Sequence, residues 1–122
     1  PPRSTLFPYT TLFRSKDRAI RKANEYAIDV PYEVANLCKR VIELADILVE
    51  KGNPNSVSDA GVAGEVALAG LRGASMNVLI NLPSIDDEEY RSEKRKEVDG
   101  LIQAAEALHK IVYKKTLNII NK

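Results

Sequence analysis

From Lys16 onward, apolar residues recur at steps of three and four positions, which is typical of amphipathic helices and not of strands. The first apolar stripe comprises Ala19, Ile20, Ala23, Ala27 and Val30. Pro31 follows it, and proline lacks an N–H and disfavours helical backbone at the preceding residue. The sequence therefore predicts a helix break near residues 29–30 and a new helix that begins at Pro31.

The second helix is predicted over residues 31–51. Its predicted buried stripe consists of Val34, Leu37, Cys38, Val41, Ala45, Leu48 and Val49. Gly52 stands where a residue in the left-handed conformation often ends a helix. The next residues, Asn-Pro-Asn at positions 53–55, are typical of a turn.

The third helix is predicted to begin within residues 56–59 and to continue to about Ile80, with Ser56, Ser58 or Asp59 as its cap. This segment contains Gly61, Gly64, Gly70 and Gly73. Each interior glycine costs roughly 0.5–1 kcal/mol relative to alanine, so we expect the helix backbone to be approached closely. A packed helix is the favoured explanation, and a ligand is the alternative.

The last helix is predicted from about Asp86 to Ile120, after Pro83 ends the third helix and Ser84 caps the new one. Its apolar face is formed by Val98, Leu101, Ile102, Ala105, Leu108, Ile111 and Val112. Short turns between long helices favour antiparallel neighbours. We therefore predict an all-α fold, a bundle of long antiparallel helices.

Composition and charge exclude several classes of function. The chain has 122 residues, and its 18 Lys and Arg nearly balance 17 Asp and Glu, so no basic excess indicates a nucleic-acid partner. No apolar run is long enough to predict a membrane span. The single cysteine, Cys38, favours a cytoplasmic location. Neither a phosphate-binding loop nor His and Cys spaced for a metal is present, so no metal is expected.

Residues 1–15, PPRSTLFPYTTLFRS, follow neither a helical nor an alternating pattern, and the character of the chain changes at Lys16. The stretch TLFPYTTLFRS resembles translated sequencing-adapter DNA. We therefore expect residues 1–15 to be an artefactual or disordered leader. Residues 16–122 are expected to be the C-terminal part of one helical domain whose N-terminal part is missing.

Candidate chemistry concentrates at the junction NPNSVSDAGVAG, residues 53–64. Asp59 is predicted in the first helical turn, where backbone N–H groups lack partners, so its carboxylate either caps the helix or faces a ligand. Asn77 shares its helix face but lies roughly 27 Å away along the axis. One straight helix therefore cannot bring the two residues into one small site. His109, the only histidine, is predicted to be structural or merely exposed.

The sequence from Glu50 to Tyr90 closely resembles the cyclodeaminase/cyclohydrolase family, which covers formiminotetrahydrofolate cyclodeaminase and a class of methenyltetrahydrofolate cyclohydrolase. The resemblance rests on NPNSVSDAGVA, then a helix of small residues, then NVLINL and a short acidic restart. The preceding VPYEVANLCKRVIELADILVEKG is similar as well. The glycine-rich turn of the family, similar to PGGGS, is absent from this sequence and would lie upstream of Lys16.

The resemblance implies a cyclodeaminase-like helical domain that forms a homodimer or a higher oligomer. It implies a one-carbon tetrahydrofolate derivative as substrate, with neither a metal nor a prosthetic group. We expect Asp59 to be catalytic, as a charge-stabilising and proton-relaying group. The residues expected to bind substrate are Asn55, Ser56, Ser58, Asn77 and Asn81.

The function implied first is hydrolysis of 5,10-methenyltetrahydrofolate to 10-formyltetrahydrofolate. The alternative is a formiminotetrahydrofolate cyclodeaminase, which closes N10 onto a formimino carbon and releases ammonia. A further alternative is a non-catalytic helical module in which the glycine-rich face only joins two copies.

Overall fold

The computed structural model describes the backbone of residues 3–122 and the side chains of residues 11–122. It contains three α-helices: α1 (Arg3–Lys51), α2 (Val57–Asn81) and α3 (Glu88–Ile120). Two short 3-10 turns connect them, Pro54–Ser56 and Leu82–Ser84. Within this described part of the chain there is no strand, so the predicted all-α fold is confirmed. No helix among these residues is long and apolar enough to cross a membrane.

The predicted helix break at Pro31 is wrong, because α1 runs through Pro31 without interruption. A proline inside a helix leaves the carbonyl oxygen four residues earlier, here that of Ala27, without its usual N–H donor. The side-chain amide of Asn81 on α2 donates to this oxygen at 3.4 Å. A neighbouring helix thus supplies a donor for the carbonyl that Pro31 leaves open.

The buried face of α1 differs from the predicted stripe. Its buried residues are Ile28, Ala35, Ile42, Ala45 and Val49. Ala45 and Val49 were predicted and Cys38 is half-buried, but four other members of the predicted stripe are exposed: Val34, Leu37, Val41 and Leu48. The physical reason is that α1 carries two adjacent apolar stripes, and only one of them faces α2 and α3.

The bounds of α2 and α3 agree with the prediction within about two residues, but two predicted ends are wrong. Gly52 does not have a positive φ; its N–H donates to the carbonyl of Leu48 and continues the helical pattern. Ser84 does not cap α3. The cap is Asp87, whose carboxylate accepts a hydrogen bond from the Tyr90 N–H at 3.0 Å.

Glycines let the three helices approach one another closely. A Cβ at Gly61 would lie 2.6 Å from Thr116 Cγ2 on α3, and a Cβ at Gly70 would lie 3.0 Å from Cys38 Sγ on α1. Gly64 lies between Val112 and Ala45. Helix packing therefore accounts for three of the four glycines of α2, as predicted.

An ion-pair cluster joins α1 to α3 near one end of the bundle. Lys115 on α3 donates to the carboxylates of Glu50 and Asp46 on α1. These hydrogen bonds, Glu50 first and Asp46 second, raise the pKa of Lys115 above its ordinary value. The cluster is largely solvated, so it adds orientation more than stability.

The crowding at Gly61 makes a test of this packing. Gly61→Ala should lower the free energy of unfolding by about 1–3 kcal/mol, because the added methyl group overpacks the buried Thr116 side chain. Gly100 on α3 is the matched control, since no atom of the described residues lies within 4 Å of a Cβ there. Gly100→Ala should raise the free energy of unfolding by about 0.5–1 kcal/mol. Urea unfolding followed by circular dichroism measures both, and equal changes would contradict the packing.

Candidate functional site

The junction between α1 and α2 is held in shape by Asn53. Its backbone is extended, its side-chain oxygen accepts a hydrogen bond from the Asn55 N–H at 3.0 Å, and its carbonyl accepts from the Ser56 N–H at 2.9 Å. Pro54 begins the 3-10 turn, where a missing N–H costs nothing. The chain therefore reverses within five residues and starts α2 at Val57.

Asp59 lines a small cleft at this junction, with a volume of about 240 Å³. The cleft is lined by Leu48, Gly52, Asn53, Ser56, Asp59, Ala60 and Ala63. The Asp59 side chain is exposed and, among the described residues, accepts no hydrogen bond. Ser56, the N-cap residue of α2, makes no side-chain capping bond either. The capping interpretation of Asp59 is therefore not what the structure shows, and its carboxylate is available to a ligand.

Only one of the residues predicted to bind substrate near Asp59 lines this cleft. Ser56 lies on its wall together with Asn53, which the sequence placed only in a predicted turn. Asn55 and Ser58 are exposed beside the cleft but do not line it. The mostly apolar wall, with one carboxylate and two short polar side chains, is the composition expected of a site that orients a ligand through few polar contacts.

Asn77 and Asn81 lie in a second and larger groove between α1 and α2, of about 590 Å³. It is lined by Tyr26, Ala27, Val30, Pro31, Val34, Gly70, Ala74, Asn77 and Asn81. The Asn81 amide donates to the carbonyls of Asn77 at 2.8 Å and of Ala27 at 3.4 Å. The Asn77 side chain makes no hydrogen bond within residues 11–122. An apolar floor with amides at one end suits a flat, polar-edged heterocycle.

The cleft of Asp59 and the groove of Asn77 open on the same flank of α2 but at opposite ends. Eighteen residues separate Asp59 from Asn77 along α2, a rise of roughly 27 Å. The structure therefore does not bring the predicted catalytic residue together with these two predicted binding residues within one chain. Sequence reasoning also missed Tyr26 and Pro31 in the groove, because the predicted break placed them on different helices.

His109 takes part in contacts between α2 and α3. Its Nε2 lies 2.7 Å from Glu65 Oε1, and its ring stacks on Tyr113 with 6.1 Å between centroids. Arg72 forms an ion pair with Glu106 on the same side, at 3.2 Å. The sequence predicted a structural or merely exposed role for His109, and its contacts with Glu65 and Tyr113 agree with the first of these. Within the described residues no group of three or more His, Cys, Asp and Glu side chains could hold a metal ion.

Comparison with known proteins gives a consistent result. A sequence profile described as Formiminotransferase-cyclodeaminase matches residues 13–100. Methenyltetrahydrofolate cyclohydrolase of Methylorubrum extorquens is 43% identical over 102 residues, which cover 84% of this chain and 49% of that relative. Formimidoyltransferase-cyclodeaminase of Rattus norvegicus is 30% identical over 87 residues, or 71% of this chain and 16% of the relative. This chain thus spans about half the length of the first of these relatives and less of the second.

The unpartnered state of Asp59 predicts that it contributes little to stability. Asp59→Ala should change the free energy of unfolding by less than about 0.5 kcal/mol, because a lost interaction with the helix dipole is offset by the better helix propensity of alanine. Asp87→Ala is the control that removes a real cap, and it should cost about 1 kcal/mol. Chemical denaturation compares the two, and an equal loss would show that Asp59 is a cap after all.

Proposed function

This chain belongs to the formiminotransferase-cyclodeaminase family, and from that premise we propose that it hydrolyses 5,10-methenyltetrahydrofolate to 10-formyltetrahydrofolate. The observation that carries the proposal is the 43% identity to a methenyltetrahydrofolate cyclohydrolase across most of the chain. The cleft and the groove beside α2 support it. The cleft supplies the unpartnered carboxylate of Asp59, and the groove supplies the amides of Asn77 and Asn81 above an apolar floor.

The chemistry of the cyclohydrolase reaction explains why a carboxylate would line the substrate-binding cleft. In the methenyl substrate, the carbon that bridges N5 and N10 carries a delocalised positive charge. Water adds to this carbon and loses a proton, and the tetrahedral adduct then opens by breaking its bond to N5, which takes up a proton. A carboxylate beside the carbon stabilises the cation and relays the proton between water and nitrogen. We assign this role to Asp59.

The polar neighbours of Asp59 have a positioning role in the proposal. Ser56 and Asn53 lie on the same wall as Asp59 and can orient the attacking water or a folate nitrogen. Asn55 and Ser58, which lie beside the wall, would reach the substrate only through water. Asn77 and Asn81 would bind the polar edge of the pterin ring from the larger groove.

The second candidate is a formiminotetrahydrofolate cyclodeaminase, favoured by the 30% identity to the rat formimidoyltransferase-cyclodeaminase. In this reaction N10 attacks the formimino carbon, and ammonia leaves after protonation. The charge develops on the same carbon, so the same carboxylate would serve. Since water, a carboxylate and the substrate's own charge can carry either reaction, the proposal invokes neither a metal nor a prosthetic group. We place the reaction in the cytoplasm and in a homodimer.

Turnover by the chain tests the proposal directly. With 5,10-methenyltetrahydrofolate, we expect enzyme-dependent loss of methenyl absorbance, and Asp59→Asn should reduce turnover by about 10²-fold or more if it relays protons. Asp99→Asn, an exposed aspartate on α3, is the matched control and should be neutral. Ammonia release from formiminotetrahydrofolate would instead identify the cyclodeaminase.

A folded chain that neither turns over nor binds either folate would contradict the proposal and favour the non-catalytic helical module. Near-normal turnover by Asp59→Asn would contradict the role of this carboxylate. Circular dichroism of each variant shows that loss of turnover is not loss of fold.

A further inference from the structure

Two consecutive residues of α3 contact the two helices that border the cleft at the α1–α2 junction. Lys115 donates hydrogen bonds to the carboxylates of Asp46, at 2.9 Å, and of Glu50, both on α1. Thr116 packs against Gly61 on α2, where a Cβ would lie 2.6 Å from Thr116 Cγ2. We call Lys115 and Thr116 together the α3 clamp. One turn of α3 therefore contacts both α1 and α2.

On α1, the clamp contacts the side of the helix that faces away from the cleft. Leu48 and Gly52 line the cleft, and Glu50 lies midway between them along the chain. A step of two residues turns an α-helix by about 200°, so Glu50 lies on the opposite side from these two residues. Lys115 therefore contacts α1 behind the cleft and at the same level.

The contact of the clamp with α2 has the same relation to the cleft. Asp59 and Ala63 line the cleft, and Gly61 lies midway between them along the chain. Gly61 is therefore turned away from the cleft, toward the side on which Thr116 packs. Besides their direct packing, the two helices that bound the cleft thus share one support, the α3 clamp.

The two residues of the clamp differ in how firmly they are held. Thr116 is 5% exposed, and its hydroxyl donates to the carbonyl of Val112 at 2.7 Å, so its side chain keeps one orientation. Lys115 is partly exposed, and its position depends on its two carboxylate partners. Its hydrogen bonds to Glu50 first, and to Asp46 second, raise the pKa of Lys115 above its ordinary value, so it is charged throughout the neutral range. A substitution of Lys115 therefore removes the contact with α1 and leaves the buried packing of Thr116 in place.

No second ion pair among the described residues can replace Lys115 at this end of the bundle. The ion pair between Arg21 on α1 and Asp87, the cap of α3, lies at the opposite end. Within residues 11–122, the remaining ion pairs between α1 and α3 are those of Lys115. Loss of its charge would therefore leave the last turns of α1, which lead into the cleft, without a polar contact to α3.

From these contacts we infer that Lys115 is a positioning residue of the Asp59 cleft, because its ion pairs set the distance between the cleft wall on α1 and the Asp59 carboxylate on α2. Catalytic groups act within a narrow range of distances, and a displacement of about 1 Å can cost roughly 100-fold in rate. Lys115 does not line the cleft, so it acts through the walls and does not touch the substrate. The consequence for turnover rests on the proposed function, whereas the placement of α1 does not.

Steady-state turnover of 5,10-methenyltetrahydrofolate tests the role of the charge. Lys115→Met keeps an unbranched side chain and removes the cation. We expect kcat to fall about tenfold, because Asp59 is displaced from the other wall, and KM to change by less than about twofold, because no cleft residue is altered. Lys114→Met is the matched control, since Lys114 is exposed and has no partner within residues 11–122, and its kcat should be unchanged. An equal loss in both variants, or no loss in Lys115→Met, would overturn the inference.

Restoring the charge should restore turnover. Lys115→Arg keeps a cation that can reach both carboxylates, so its kcat should stay within about twofold of that of the unaltered chain. Lys115→Glu should lose at least as much as Lys115→Met, and the addition of Glu50→Lys should recover about threefold or more, because the ion pair is formed again with its charges exchanged. Low turnover in Lys115→Arg without recovery in the exchanged pair would show that the charge is not what matters, and it would overturn the inference.

Hydrogen exchange tests the clamp in the absence of any folate. In Lys115→Met, the backbone amides of residues 52–58 should exchange about threefold faster or more, because the end of α1 has lost a contact. The amides of residues 71–78 on α2 are the internal reference and should not change, which separates a local effect from a loss of global stability. Lys114→Met should match the unaltered chain throughout. Unchanged exchange at residues 52–58 in Lys115→Met would overturn the inference, whatever the turnover.

The role of Lys115 and the proposed function can be separated. If the unaltered chain turns over neither folate, the proposed function is contradicted, and the exchange comparison still decides whether Lys115 holds the junction. Normal turnover in Lys115→Met beside the expected loss in Asp59→Asn would overturn the positioning role and leave the proposed function standing.

Discussion

α2 carries apolar or small residues around almost its whole circumference, and exposing such a helix to water is costly. Its 25 residues include three charged side chains, Asp59, Glu65 and Arg72. α1 and α3 cover two of its sides, and glycines at the contact points allow the backbones to come close. The remaining side of α2 stays exposed and is continuous with the exposed apolar residues of α1. The three helices therefore still present a wide apolar surface after folding.

The sequence predicted the fold class and the extents of α2 and α3, because those helices have clear turn chemistry on both sides. It failed at Pro31, since the rule for proline assumes that the freed carbonyl has no other donor, and here Asn81 from a distant part of the chain provides one. The sequence pattern also led to a wrong prediction of which face of α1 is buried. Periodicity shows that a stripe is apolar but does not show which of two stripes meets the neighbouring helix.

The candidate site was predictable where it depends on local chemistry. An acid just inside a helix start, with Asn and Ser nearby, can be found by its spacing, and Asp59 does lie on a cleft wall. The groove around Asn77 was predicted only in part, because Tyr26 enters it from a helix more than forty residues away. Relations of that kind are set by packing between helices, which a single sequence does not encode in its spacing.

The hydrogen bond from Asn81 to the Ala27 carbonyl, which Pro31 leaves open, also orients the Asn81 amide in the groove. Both N–H groups of the Asn81 amide are turned toward backbone carbonyls, one on each helix, so the side chain is held in one orientation. The side-chain oxygen of Asn81 remains without a partner among the described residues, and an amide oxygen can only accept a hydrogen bond. A molecule that bound to this oxygen would therefore have to present an N–H or O–H to it. Under the proposed function, the proline in the middle of α1 would thereby favour the donor edge of a bound heterocycle over its acceptor edge.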